Sequence, residues 1–331
     1  MQTRILGNDL KVTPIGLGCM GFTLGYGKPT DEATAVKTIR QAYDLGYRFF
    51  DTAEVYQGIN SNGDLTYNET LVGKALHDVR DQVVIATKFG ITSSQSDNGI
   101  VAKPDSRPEV IRQSVEGSLK RLGVDHIDLY YQHRIDPDVA PETVARVMQE
   151  LIDEGKITHW GISEANEDYL RRANAVCKVT AVQNRYSMMY RDYEKLFPVL
   201  EELNVGLVAF SPLANGFLTG KFQQSNFAQS DTRNNMPQFT PEALKKNQEL
   251  LTLLETIADR HNATPAQISL AWMINKKPYI VPIPGSRHLN RIKDNLTAAK
   301  IEMTVSEVKQ IDDALNAIPM SGVFDGAKVV K

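Results

Sequence analysis

Short apolar runs recur along the chain, each followed by a polar loop and usually by a stretch of helical spacing. The runs are Ile15–Cys19, Tyr47–Asp51, Val83–Lys88, Ile127–His133, Ile157–Ser163, Ala181–Gln183, Gly206–Ser211 and Tyr279–Pro282. They do not alternate apolar with polar, as a half-solvated strand does. Strands apolar on both faces belong to a parallel sheet covered on its outside. Helical spacing is read over Asp31–Leu45, Glu69–Leu76, Pro141–Asp153, Asp168–Val176, Tyr193–Leu203, Lys246–His261, Thr264–Asn275 and Asn290–Leu296. Ser106-Arg107-Pro108-Glu109 reads as a capping box opening a helix to Leu122, and Thr304-Val305-Ser306-Glu307 as another opening a helix to Ala317. Eight strand–helix units predict one (β/α)8 TIM barrel over residues 1–331. Residues 222–246, rich in Gln, Ser and Asn, interrupt the rhythm and read as one long loop, a lid or a disordered segment.

Composition narrows the partners. The 331 residues are 42% hydrophobic and 23% charged, with net charge −3. That balance is ordinary for a globular protein and gives no pull toward nucleic acid or an anionic membrane. The first residues lack the apolar core of a signal peptide, and Val205–Leu218 is too short and broken to span a bilayer. Cys19 and Cys177 make no disulfide framework. A cytoplasmic location and a small-molecule substrate are the expectation.

Parallel barrels place their chemistry at the C-terminal strand ends. Asp51, Lys88, His133, Ser163, Gln183 and Ser211 each close one of the apolar runs, and Tyr56 lies in the loop after Asp51. Singly, each has a plain alternative: a loop cap, a solvated lysine, a rim histidine, a loop aromatic. Together they supply a chemistry. An ammonium beside a phenol stabilises its phenolate. A carboxylate beyond the ammonium keeps it charged and aimed, and an imidazole across the mouth can hydrogen-bond a bound carbonyl oxygen. The chain has no Gly-x-Ser-x-Gly, no His-Glu-x-x-His and no Cys-x-x-Cys, so neither acyl transfer nor a metal is indicated. Proton delivery to a carbonyl still requires a hydride donor.

From Leu10 to Asn295 the chain resembles the aldo-keto reductase family. The resemblance is carried, in order, by Asp-Thr-Ala-Glu-x-Tyr at 51–56, Ala-Thr-Lys at 86–88, Tyr-Gln-His at 131–133, Gly-Ile-Ser at 161–163, Phe-Ser-Pro-Leu at 210–213 and Pro-Gly-Ser-Arg at 284–287. It implies NADPH-dependent reduction of an aldehyde or ketone, with Tyr56 as general acid, Lys88 and Asp51 tuning it, and His133 orienting the carbonyl. It further implies Ser163 and Gln183 on the nicotinamide carboxamide and Phe210 stacked on the ring, with Ser211 and Leu213 beside the cofactor. Ser286, Arg287 and Arg291 would hold the 2′-phosphate of NADP and Asn295 the adenine, with Gly285 also at the cofactor. Glu164 departs from the pattern, since many members have Asn there; a carboxylate can accept from an amide but cannot donate to one.

Gly16-Leu17-Gly18-Cys19-Met20-Gly21 matches a dinucleotide fingerprint, but it opens no helix and reads as the first barrel loop, with Phe22 and Tyr26 toward substrate. Two rival functions stay open. Lys88 could form a Schiff base in an aldolase, or the chain could be a nicotinamide-binding, non-catalytic regulatory subunit.

Overall fold

The computed structural model of the protein describes residues 3–96, 99–222 and 227–324. Its centre is an eight-stranded sheet of Leu17–Gly18, Phe49–Asp51, Val84–Phe89, Ile127–Gln132, Ile157–Ser163, Ala181–Arg185, Gly206–Phe210 and Ile280–Pro282. Each strand pairs with the next of the eight, and every pairing is parallel. The first and last strands meet: Gly16 N–H donates to Pro282 O at 3.0 Å and Gly18 N–H to Pro284 O at 3.4 Å. The sheet is thus the expected (β/α)8 barrel. Glycine is required at the seam, where a Cβ on Gly18 would lie 2.7 Å from Ile283 O and one on Gly285 2.7 Å from Gly18 O.

Local chemistry sets the helices on the outside. Glu32–Leu45 starts at Asp31, whose carboxylate accepts from Thr34 N–H, and buries Ala35, Thr38, Ile39 and Ala42. It stops at Gly46, whose φ of 115° few other residues adopt. Inside the barrel a separate apolar cluster includes Phe49, Ala86, Leu129, Tyr131, Val208 and Val281. The hairpin Arg4–Leu6/Leu10–Val12 plugs its N-terminal end. There Leu6 packs so close that a Cβ on Gly206 would meet it at 2.4 Å. With the bottom filled, the C-terminal mouth is left for chemistry.

Several expectations are corrected. The hairpins Arg4–Leu6/Leu10–Val12, Gln57–Ile59/Leu65–Tyr67 and Ile91–Ser96/Gly99–Pro104 carry too little apolar signal to show in the sequence pattern. The segment 222–246 is not one loop: Thr232–Asn235, Pro237–Phe239 and Pro241–Lys246 are short helices, anchored by the packed rings of Phe222, Phe227 and Phe239. Residues 223–226 of that segment lie outside the described residues. Ser106 is no cap: Arg107 starts the helix Pro108–Leu122 without a side-chain bond, and Ser106 Oγ accepts from Gln132 Nε2 at 2.9 Å. Thr304 does cap its helix, but Glu307 turns to His261 Nε2 at 2.6 Å instead of reciprocating. Among the described residues no helix is long and apolar enough to cross a membrane.

Candidate active site

Lys88 is fully buried, and its Nζ has three acceptors: Asp51 Oδ1 at 2.6 Å, Thr52 O at 2.7 Å and Tyr56 Oη at 3.4 Å. Gln183 Nε2 holds the other Asp51 oxygen at 2.7 Å. Burial alone would depress the Lys88 ammonium, but the charge of Asp51 and the Tyr56 phenol outweigh it and raise Lys88 above the ordinary lysine value. Burial also pushes the Asp51 carboxyl up, with Lys88 pulling it back. As an ammonium, Lys88 has one N–H for each of these three partners, and Asp51 is its carboxylate counter-ion. The Tyr56 loop is pinned from behind: Tyr56 O accepts from Asn68 N at 2.9 Å, and buried Asn68 bonds Thr52 Oγ1 at 2.7 Å and Cys19 O at 2.9 Å. His133 meets the Tyr56 ring edge-on, with centroids 5.7 Å apart. Residues from the second, third, fourth and sixth strands, or the loops just beyond them, therefore converge at one mouth.

The remaining predicted residues lie on the later strands and in the segments that follow them. Ser163 is buried and its Oγ donates to Gln183 O at 2.9 Å. Phe210 is half-buried at the end of its strand. Ser211 has φ 51°, and Ala214, Asn215 and Gly216 follow with φ 48°, 59° and 98°, a run of left-handed residues that turns the chain sharply over the rim. Leu213 O ties this turn down, accepting from Gly216 N at 2.9 Å and Leu218 N at 3.2 Å. Beyond the last strand, Ser286 Oγ accepts from His288 N at 3.1 Å, ahead of the helix Leu289–Thr297, whose N-terminus has no side-chain cap. Arg291 is exposed on that helix and forms no ion pair with the described residues, while Asn295 is buried.

Residues 14–316 match the family model described as the Aldo/keto reductase family. The chain belongs to the aldo-keto reductase family. It is 39% identical over 318 residues to a probable aldo-keto reductase 1 of Glycine max, covering 96% of this chain and 88% of that one. A solved glycerol dehydrogenase from Gluconobacter oxydans superimposes with TM-score 0.83 at 27% identity, covering 98% of both chains. The holo form of an aldo-keto reductase from Bacillus halodurans gives TM-score 0.76 at 25% identity, again over 98% of each chain. The protein is an oxidoreductase of this family, whose chemistry is carbonyl reduction with a nicotinamide cofactor.

Within this aldo-keto reductase some side chains are placed differently from expectation. Phe22, expected toward substrate, is 1% exposed and packed in the hydrophobic core. The Tyr26 hydroxyl accepts from Asn215 Nδ2 at 3.1 Å, and its ring lies beneath the Arg233 guanidinium at 5.1 Å. Arg287 is engaged elsewhere, donating to Lys28 O at 2.8 Å and to Tyr26 O, and so straps the first loop to the last. Glu164 takes a left-handed backbone, φ 57°, and both oxygens accept, from Arg185 N at 3.1 Å and Tyr193 Oη at 3.2 Å. Two residues at the rim were not singled out from sequence. Arg134 donates from Nη1 to Ser163 Oγ at 3.1 Å, and Arg185 is buried with its guanidinium 5.3 Å from the Phe210 centroid.

His133 carries a prediction. Burial first, then the cations Arg134 and Lys88, hold its pKa well below 6.5, so the folded protein keeps it neutral in mild acid. The unfolded chain takes up this proton near pH ~6.5, and the folded chain does not. Stability from this residue is therefore fully present above that pH and declines as the pH falls below it. Urea unfolding across that range should show the decline, and His133→Gln should flatten it. An unchanged slope in the variant would place the acid sensitivity elsewhere.

Proposed function

We propose that this protein is an NADPH-dependent reductase of aldehydes or ketones, with Tyr56 as the proton donor. The observation that carries the reading is the Lys88 ammonium, locked onto Asp51 and Thr52 and presenting its third N–H to the Tyr56 hydroxyl at 3.4 Å. A phenol so placed gives up its proton to an alkoxide-like oxygen, because the anion it becomes lies beside a fixed positive charge. Neutral His133 orients the carbonyl oxygen by hydrogen bonding. A bound nicotinamide supplies the hydride that proton delivery alone does not provide.

The residues present fit such a cofactor. Phe210 offers a partly open ring face. Ser163 and Gln183 border it; Gln183 spends an amide N–H on Asp51 and keeps its carbonyl oxygen for the carboxamide. Ser286, Arg291 and the uncapped helix N-terminus suit a phosphate, and Asn295 lies one turn further on for the adenine. Arg287 can join the phosphate only by releasing the carbonyls of Tyr26 and Lys28, so Arg291 is assigned the larger share. Arg291→Ala should weaken NADPH much more than NADH in fluorescence titrations; equal losses would remove the phosphate assignment.

A Schiff-base role for Lys88 is disfavoured, since an ammonium with three acceptors has no free lone pair for attack. Borohydride with a carbonyl substrate should therefore leave Lys88 unmodified.

A further inference from the structure

We infer that Arg134 is a specificity-determining residue that makes the site hold the reduced cofactor more tightly than the oxidised one, an inference that rests on the nicotinamide reading above. Arg134 follows His133 directly and folds back over it. Its Nη1 donates to His133 O at 2.6 Å and to Ser163 Oγ at 3.1 Å, and its guanidinium carbon lies 6.0 Å from the Phe210 centroid. It forms no ion pair with the described residues. Of the other cations nearby, Lys88 is paired with Asp51 at 2.6 Å, while Arg185 feels the charge of Glu164 without an ion pair to it.

A nicotinamide that serves a carbonyl held by Tyr56 and His133 has to lie beside His133, and hence beside this guanidinium. The oxidised ring carries a positive charge and the reduced ring carries none, so an unanswered cation repels only the oxidised form.

Donor supply at the rim points to the same residue. Ser163 spends its one proton on Gln183 O at 2.9 Å, and Glu164 is turned away with both oxygens accepting. A carboxamide oxygen needs a donor, and Arg134 has Nε and Nη2 without acceptors among the described residues. Its cationic fork stands in for the amide side chain that position 164 lacks.

The test measures dissociation constants for NADPH, NADP⁺ and 2′-phospho-ADP-ribose, which lacks the nicotinamide, by calorimetry on the wild type, Arg134→Gln and Arg134→Lys. Wild type should favour NADPH over NADP⁺. Arg134→Gln should shrink that ratio about tenfold, the scale of one unit charge at this range in a partly screened site, with 2′-phospho-ADP-ribose unchanged. Arg134→Lys, which keeps the charge and loses the fork, should hold the ratio while binding both dinucleotides less well. An unchanged ratio in Arg134→Gln, or equal losses for all three ligands, overturns the inference. Wild type binding NADPH no tighter than 2′-phospho-ADP-ribose would instead remove the nicotinamide reading beneath it.

Discussion

Tyr56→Phe is expected to lower turnover by about 10²–10⁴-fold, the range typical of a lost general acid, with NADPH affinity near that of the wild type. The variant keeps the ring, and with it the edge-on contact to His133. It leaves the Lys88 ammonium with Asp51 Oδ1 and Thr52 O as acceptors, so the ion pair survives. Only the hydroxyl at the end of that chain disappears. Steady-state rates on a generic aldehyde, beside a fluorescence titration with NADPH, separate the two quantities. Near wild-type rates would mean that another group delivers the proton.

Lys88→Met is expected to destabilise the fold by about 3–5 kcal/mol and abolish turnover, because it strands a buried carboxylate. Asp51 is 3% exposed, and its remaining partner, Gln183, gives one neutral hydrogen bond. Adding Asp51→Asn to Lys88→Met removes the stranded charge and should recover much of the lost stability without restoring activity. Denaturant unfolding of both single variants and the double variant gives the coupling between the two sites. Additive losses would show that the pair is not the ionised unit described above.

The barrel was legible because parallel strands are buried on both faces, so Val83–Lys88 and Gly206–Ser211 stand out as apolar runs with a polar residue at the mouth end. The convergence of Asp51, Tyr56, Lys88 and His133 followed from that same pattern, since eight parallel strands deliver their ends to one rim. Features made by neighbours in space were not legible. Ser106 reads as a cap, yet Gln132 claims it across 26 positions of chain. The hydrogen bonds of Arg287 to the carbonyls of Tyr26 and Lys28 join the last loop to the first across 261 and 259 positions of chain. Phe22 follows a glycine-rich loop and looks available, but it is core. The short helices after residue 231 depend on three phenylalanine rings clustering, which no local period announces. Arg134 had one signal in the sequence, its place directly after His133, but only its fold back onto Ser163 gives it a role.

The central claim is that these four side chains deliver a proton to a carbonyl as a nicotinamide reduces it. The most direct measurement incubates the isolated protein with NADPH and a panel of aldehydes and ketones, following cofactor absorbance and alcohol formation together. The account predicts one alcohol formed for each NADPH consumed, on at least some members of the panel. Tight NADPH binding with no alcohol from any of them would contradict it, and would favour a nicotinamide-binding subunit without catalysis.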